Sequence, residues 1–227
     1  MNGFWLHKMR KPRICAAIVD NNVKSIVDIQ PLVDLFELRI DLVGDGWQDV
    51  AKELKKPWIA CNRLPEEGGQ WKESEARRIE QLLHAIELGA SIVDIELRTK
   101  NLENIVAMIK KRAGCLISSH DLEKTPPLDG VKAIIDRQQK AGADICKVVT
   151  TARSTNDNWT LLQAVTAFPA LQTVSFAMGP LGTLSRVLSP VVGGYFTYAS
   201  MATGKESAPG QVTVRDLIRL YEMMGLG

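Results

Sequence analysis

One lysine, Lys147, stands inside an otherwise apolar, β-favouring run, Ala143-Asp144-Ile145-Cys146-Lys147-Val148-Val149-Thr150. Ammonium groups are rarely buried without a partner, and a lysine pushed toward its neutral form by desolvation becomes an amine nucleophile able to form a Schiff base with a ketone. The competing explanation is a strand-end lysine snorkelling to solvent, the commoner outcome for such a segment taken alone. Other residues shift the balance. His120, in Ser119-His120-Asp121, supplies a candidate acid/base. An iminium on a lysine acts as an electron sink that acidifies the neighbouring carbon, and an imidazole that takes that proton can return one to a leaving hydroxyl. A core histidine is the alternative for His120; the polar Ser-Ser-His-Asp turn around it argues against that.

Further charges sit in or just after strand-like runs. Glu37 and Arg39 are two apart in Leu35–Ile40 and so point to one face of a strand. Such a pair is either a plain salt bridge or part of a site. Arg63 follows Trp58–Cys61 and leads into the loop Leu64-Pro65-Glu66-Glu67-Gly68-Gly69, whose Pro and Gly-Gly mark irregular backbone. Arg186 follows a glycine-rich turn, Met178 to Gly182.

These residues need a scaffold, and the hydropathy pattern supplies one. Short apolar or β-branched runs alternate with amphipathic helical stretches from residue 13 to the end. Strands are expected at Ile14–Val19, Leu35–Ile40, Trp58–Cys61, Ser91–Leu97, Cys115–Ser118, Asp144–Val149, Leu171–Phe176 and Tyr195–Tyr198. Helices are expected at Val23–Val33, Ser74–Leu88, Asn101–Lys111 with Asn101 as cap, Leu128–Lys140, Asn156–Phe168, Gly182–Leu188 and Val212–Met224. The loop Met201–Gln211, rich in Gly, Ser and Pro, is of the kind that covers sites. Eight strands alternating with helical stretches favour a closed, parallel (β/α)8 TIM barrel over an open doubly wound sheet, with residues 1–227 forming one catalytic domain. Chemistry in such barrels lies at the C-terminal ends of the strands. His120 and Lys147 fall on adjacent strands, so closure would bring them together.

Composition narrows the function classes. The chain has 28 lysines and arginines against 26 acids, a net charge of +2, with no global basic field for nucleic acid or a membrane surface. The basic patch from Lys8 to Arg13 is short and reads as solvated surface. Cys15, Cys61, Cys115 and Cys146 are far apart and lie in or beside apolar runs, as small buried residues in a reducing compartment do. No run approaches the roughly 18 apolar residues of a membrane span, and the N-terminus lacks a signal-peptide core, so the expected location is cytoplasmic. His7, His84 and His120 are scattered, with His84 in mid-helix, which disfavours a metal site.

Taken in order, Glu37-Leu38-Arg39 with Asp41, Arg63 with Glu67-Gly68-Gly69, Ser119-His120-Asp121 with Thr125-Pro126, Lys147, Gly182-Thr183-Leu184-Ser185-Arg186, and Ser207-Ala208-Pro209-Gly210-Gln211 resemble the type I 3-dehydroquinate dehydratases over nearly the whole chain from Arg13. The resemblance implies a cofactor-independent lyase that forms an imine between Lys147 and the ketone of 3-dehydroquinate and eliminates water to give 3-dehydroshikimate. His120 would be the acid/base and Glu67 its orienting partner. Arg186 would bind the substrate carboxylate; Glu37, Arg39, Arg63, Ser207 and Gln211 would complete the substrate-binding set, with Met178 against the ring. A homodimer is also implied. Two positions depart from the family pattern: Ala17 stands where a substrate-contacting serine is common, which leaves the first strand out of the site, and Pro180 stands where a lysine can occur.

Two other readings compete. A Schiff-base aldolase barrel would bind a sugar phosphate with the loops after strands seven and eight, for which Gly179–Gly182 is a candidate. However, Arg186 and Ser207–Gln211 suit a carboxylate and hydroxyls better. A non-catalytic ligand-binding barrel must treat Lys147, His120, Glu67 and Arg186 as unrelated.

Overall fold

Runs that are apolar on both faces are what parallel strands covered by helices require. In a computed structural model describing residues 11–227, such runs form β1 (Ile14–Ile18), β2 (Leu35–Arg39), β3 (Trp58–Cys61), β4 (Ile92–Glu96), β5 (Gly114–Asp121), β6 (Ile145–Thr151), β7 (Gln172–Met178) and β8 (Thr197–Ser200). Each strand pairs in parallel with its sequence neighbour from β1 to β7, and β8 pairs in parallel with β1. The Tyr195 amide donates to the Thr173 carbonyl at 2.8 Å, linking the approach to β8 with β7. The result is a nearly closed (β/α)8 TIM barrel. His7 and the start of the basic patch lie in residues 1–10, outside the described residues.

The helices are α1 (Val23–Ile29), α2 (Ile40–Val43), α3 (Trp47–Glu53), α4 (Glu75–Glu87), α5 (Leu102–Ile109), α6 (Leu128–Lys140), α7 (Asp157–Ala167), α8 (Thr183–Leu188) and α9 (Val214–Met223). The periodicity gives no bounds for a helix between β2 and β3, yet α2 and α3 lie there. Gly44 and Gly46 break the pattern, and α3 buries only Trp47, Val50 and Ala51. Helix α4 is capped by Ser74, whose side chain accepts the Arg77 amide at 3.2 Å. Asn101 does precede α5, but it is left-handed, with φ 54°, and its side chain makes no capping bond. Strand β5 runs three residues beyond its expected end. Ser119, His120 and Asp121 stay in register with Val148, Val149 and Thr150 of β6, so pairing overrides their weak strand preference.

Side chains on a strand alternate between faces, and this alternation builds the barrel interior in tiers. The lower inward residues, Cys15, Leu35, Ile59, Leu116, Ile145, Val174 and Phe196, form an apolar plug. Two residues further along the strands the inward positions are Glu37, Cys61, Asp94, Ser118, Lys147, Phe176 and Tyr198. The opposite faces, with Ala16, Phe36, Leu38, Val93, Ile95 and Ile117, pack against the helices. Polar chemistry is thereby confined to the C-terminal mouth, above an apolar floor.

Two connections complete the mouth. Buried Asn158 of α7 donates to the Leu181 carbonyl at 2.7 Å and accepts the Ser185 amide at 2.8 Å, which fixes the start of α8 and hence Arg186. The 201–211 loop docks on the turn after β7, where the Gly179 amide donates to the Pro209 carbonyl at 3.0 Å. Gly210 has φ +76°, and a Cβ there would meet the Gly179 carbonyl. Gly210→Ala should therefore loosen the docking. Native-state hydrogen exchange is the test: the Gly179 amide should exchange roughly five- to tenfold faster, since alanine at positive φ costs about 1 kcal/mol or more. Unchanged exchange would show that the docking tolerates a side chain.

Candidate active site

Six buried ionic side chains alternate in sign across the barrel mouth. Arg78 Nη1 lies 2.6 Å from Glu96, Glu96 lies 3.1 Å from Arg63, and Arg63 Nη2 lies 2.6 Å from Asp94. Asp94 in turn is 2.9 Å from Lys147 Nζ, which is 3.1 Å from Glu37. The alternation follows from strand geometry. Asp94 and Glu96 are i and i+2 on β4, Lys147 faces inward on β6, and Arg63 reaches in from just beyond β3. Buried charges require partners, and each charge in this chain has them on at least one side.

Lys147 donates to Glu37 Oε1, to Asp94 Oδ2 and, at 3.0 Å, to the Tyr198 hydroxyl. Its side chain is 5% exposed. Burial alone would lower its pKa, but Asp94 and Glu37 outweigh that, and Lys147 lies above its ordinary value. Desolvation toward a neutral amine, the expectation for this lysine, is therefore not how the site holds it: the resting group is a tethered ammonium. Asp94 shows the complementary shift. Burial would raise it, yet Arg63 and Lys147 hold it well below the usual carboxylate range.

His120 lies within β5 rather than in a turn, and its side chain is 10% exposed. The 3₁₀ turn Pro65–Glu67 delivers Glu67, whose Oε2 lies 2.9 Å from His120 Nδ1 and accepts the His120 backbone N–H at 3.0 Å. An ionised Glu67 assigns the Nδ1–H tautomer and leaves Nε2 as the free lone pair. Burial raises Glu67 to about 7. Burial, reinforced by the Arg63 and Lys147 charges, holds His120 well below its ordinary value. The imidazole is thus neutral near pH 7 and suited to accept a proton.

A cavity of about 300 Å³ opens above these groups. Its lining includes all nine residues expected at the site: Glu37, Arg39, Arg63, Glu67, His120, Lys147, Arg186, Ser207 and Gln211. They are not equally free. Arg39 is paired twice with Asp41, at 2.9 and 2.7 Å, and Arg63 is engaged by Asp94, Glu96 and Ser118. The Gln211 Oε1 accepts from the Ser207 amide and hydroxyl. Arg186 differs. It is 1% exposed, its Nε and Nη2 have no hydrogen-bond partner, and its guanidinium lies 4.2 Å from the centre of the Phe176 ring. Burial lowers it to about 10. An uncompensated buried cation on the wall of a cavity is a strong recruiter of an anion, and its planar fork suits a carboxylate. Met178 also lines the cavity, whereas Ala17 does not.

Sequence reasoning missed Asp94, Ser118 and Tyr198. Asp94 carried the same signal as Glu37, a charge alternating with apolar residues in a strand. Ser118 and Tyr198 carried none, because either residue is ordinary in a strand. Glu37, Cys61 and Asp94 offer ligand atoms within 4.8 Å of one another, a grouping that could hold a metal ion. The Lys147 ammonium and the Arg63 guanidinium already take that position by bonding the same atoms, so the donor set is better matched to the protein's own cations.

Comparison with known proteins bears on this geometry. The family described as type I 3-dehydroquinase matches residues 14–227. A 3-dehydroquinate dehydratase of Dehalococcoides mccartyi (strain CBDB1) is 40% identical over 213 residues, covering 94% of this chain and 96% of that protein. One from Methanococcus maripaludis (strain C7) is 37% identical over 220 residues, covering 93% of this chain and 100% of its own length. The crystal structure of the type I 3-dehydroquinate dehydratase from Clostridium difficile superposes with a TM-score of 0.83 at 22% identity, covering 95% of this chain and 93% of that one, a likeness of fold. The chain belongs to the type I 3-dehydroquinase family.

Proposed function

We propose that this protein is a hydro-lyase that converts 3-dehydroquinate to 3-dehydroshikimate through an imine on Lys147. The observation that carries the reading is the placement, on one small cavity, of a buried lysine, a carboxylate-oriented neutral histidine and an unpartnered buried arginine. Arg186 binds the substrate carboxylate, which supplies its missing counter-charge. Ser207 and Gln211 from the 201–211 loop, Glu37 and Arg39 of β2 and Arg63 just beyond β3 hold hydroxyls. Lys147 adds to the ketone and water leaves, giving an iminium. His120 Nε2 then takes a proton from the carbon next to the iminium, electrons move into the C=N bond, and the hydroxyl one carbon further departs with the proton that His120 returns. Water then adds to the conjugated iminium and the C–N bond breaks, which releases 3-dehydroshikimate, restores the Lys147 amine and leaves a net loss of one water. Glu67 keeps the imidazole in its Nδ1–H form throughout.

The aldolase reading is weakened by the turn after β7. The amides of Gly179 and Gly182 already donate to the carbonyls of Pro209 and Gly179, so they are not offered to a phosphate. The same proposal takes the barrel as one catalytic domain working as a homodimer in the cytoplasm. Its support is the family resemblance, four free and buried cysteines, and the lack, among the described residues, of any helix long and apolar enough to cross a membrane.

Borohydride reduction during turnover of 3-dehydroquinate, followed by peptide mass spectrometry, tests the mechanism. A ligand-sized adduct on Lys147 is expected. Lys147→Ala should lose both adduct and turnover, while His120→Ala should still form the adduct but dehydrate about 10²–10⁴-fold more slowly. Turnover with Lys147 unmodified would discard the imine.

The pH dependence follows from Glu67. Its pKa is raised to about 7 by burial, so it is ionised above that pH and protonated below, where it no longer secures the Nδ1–H tautomer. The kcat/KM should fall as pH drops through about 7, and Glu67→Gln should abolish this limb while lowering the plateau. An acid limb that persists in the variant would assign it to another group.

Arg186→Met should raise KM for 3-dehydroquinate by about tenfold or more and leave the ligand-free protein more stable. An arginine whose folded pKa is depressed destabilises the fold wherever it is charged, so the gain, about 1–3 kcal/mol, should be present at all pH values below about 10. Unchanged KM in steady-state assays would remove Arg186 from carboxylate binding.

A further inference from the structure

Lys147 presents a difficulty that its neighbours must resolve. An amine attacks a carbonyl only after losing its proton, and here the ammonium gives all three N–H bonds to acceptors. The titratable or charged groups facing it are Cys15 of β1, Glu37 of β2, Cys61 of β3 with Arg63 just beyond, Asp94 of β4, His120 of β5 and Tyr198 of β8. One of these must receive the proton.

Asp94 is a poor receiver. Its carboxylate already accepts from Arg63 and from Ser118, both at 2.6 Å, and it does not line the cavity. Glu37 lines the cavity, and its Oε1 accepts from Lys147 at 3.1 Å and from the Tyr198 hydroxyl at 2.7 Å. The Tyr198 hydroxyl is committed as a donor to Glu37, so the bond it shares with Lys147, at 3.0 Å, must be one it accepts. The phenol is therefore a bridge with one entrance and one exit. Burial, with the Glu37 charge, holds its pKa well above the ordinary value, so it stays protonated between the two partners. The ring is fixed edge-on between Phe176 and Phe196, with centroids 6.0 and 5.4 Å away.

We propose that Tyr198 is a positioning residue for Lys147 that passes the ammonium proton to Glu37 before the amine attacks the substrate ketone. The inference rests on the imine reading above. In the step, the Lys147 N–H bond breaks as its proton moves to the phenol oxygen, while the phenol's own proton moves to Glu37. The products are a neutral amine, a neutral carboxylic acid and an unchanged phenol, so charge and protons balance. The freed lone pair first faces the Tyr198 hydroxyl, and rotation about the Cε–Nζ bond, with one N–H still given to Asp94, swings it toward the substrate carbonyl. The acid formed on Glu37 lies beside the carbinolamine oxygen and supplies the proton with which that oxygen leaves as water. Glu37 returns to its carboxylate form, and Asp94 keeps the single N–H of the iminium.

Tyr198→Phe removes only the hydroxyl and retains the ring packing. The test is quench-flow borohydride trapping of the Lys147 adduct with 3-dehydroquinate, measured across pH in wild type and variant, with steady-state kcat and KM alongside. The variant should still label at Lys147, but the labelling rate should fall roughly 10- to 100-fold near pH 7, since the longer direct contact with Glu37 remains. Its rate should climb with pH toward the wild-type value as solvent removes the proton instead, and KM should change little. A variant that labels at the wild-type rate with the wild-type pH profile overturns the bridge while leaving the imine intact. A uniform loss at every pH with raised KM also overturns it, because that is the mark of a packing defect. Turnover by the wild type without any Lys147 adduct sinks the imine reading, and the bridge with it.

Discussion

The tether on Lys147 is the interaction on which the rest of the site depends. An ammonium in an interior with effective dielectric far below that of water is unstable unless opposite charge lies within a few ångströms. Asp94 and Glu37 supply it, but each carboxylate then needs cations or donors of its own. Asp94 takes Arg63 and Ser118, and Glu37 takes Tyr198. Arg63 brings in Glu96, which brings in Arg78 from α4. One buried lysine thus propagates a chain of compensation from β2 across the barrel to the helical shell, and that chain fixes the orientations of most polar side chains in the mouth.

Against this compensated half, Arg186 stands uncompensated. Both cations are buried, yet their shifts run in opposite directions, Lys147 upward and Arg186 downward, because one has carboxylates against it and the other has only an aromatic face. The contrast divides the cavity by task. A site that must keep its nucleophile in one place benefits from several fixed partners, whereas a site that must take up an anion benefits from leaving a charge unpaired at some cost in stability. His120 and Glu67 belong to neither half. Their shared environment disfavours charge on both, so the imidazole is neutral and ready to take a proton, and Glu67 is poised near neutral pH.

The fold was legible because strand and helix periods differ, and because eight alternations leave few topologies open. Where the reading failed, tertiary pairing had overruled local preference. Strand β5 continues through Ser119-His120-Asp121 because β6 offers matching backbone groups, and α3 is short enough that only its burial reveals it. The nine anticipated residues all line one cavity: Glu37, Arg39, Arg63, His120, Lys147 and Arg186 announced themselves as polar residues within or just after strands, whereas Glu67, Ser207 and Gln211 were named only by the family resemblance. Asp94 carried such a signal but had no distinguishing partner nearby in sequence. Tyr198 carried none, for a tyrosine with an inward ring is usual in a barrel, and only the position of its hydroxyl singles it out.

By itself, then, the sequence determined which strands exist, which of their residues face inward, and that the inward charges gather at one end, because side-chain alternation is a local property of extended backbone. Pairing among those charges was decided only when the barrel closed. Lys147 meets Glu37 across 110 residues and Tyr198 across 51, and Glu67 meets His120 across 53. The sign of the Lys147 shift depended on those contacts: burial lowers a lysine and adjacent carboxylates raise it, and the balance is a matter of ångströms that no local pattern encodes.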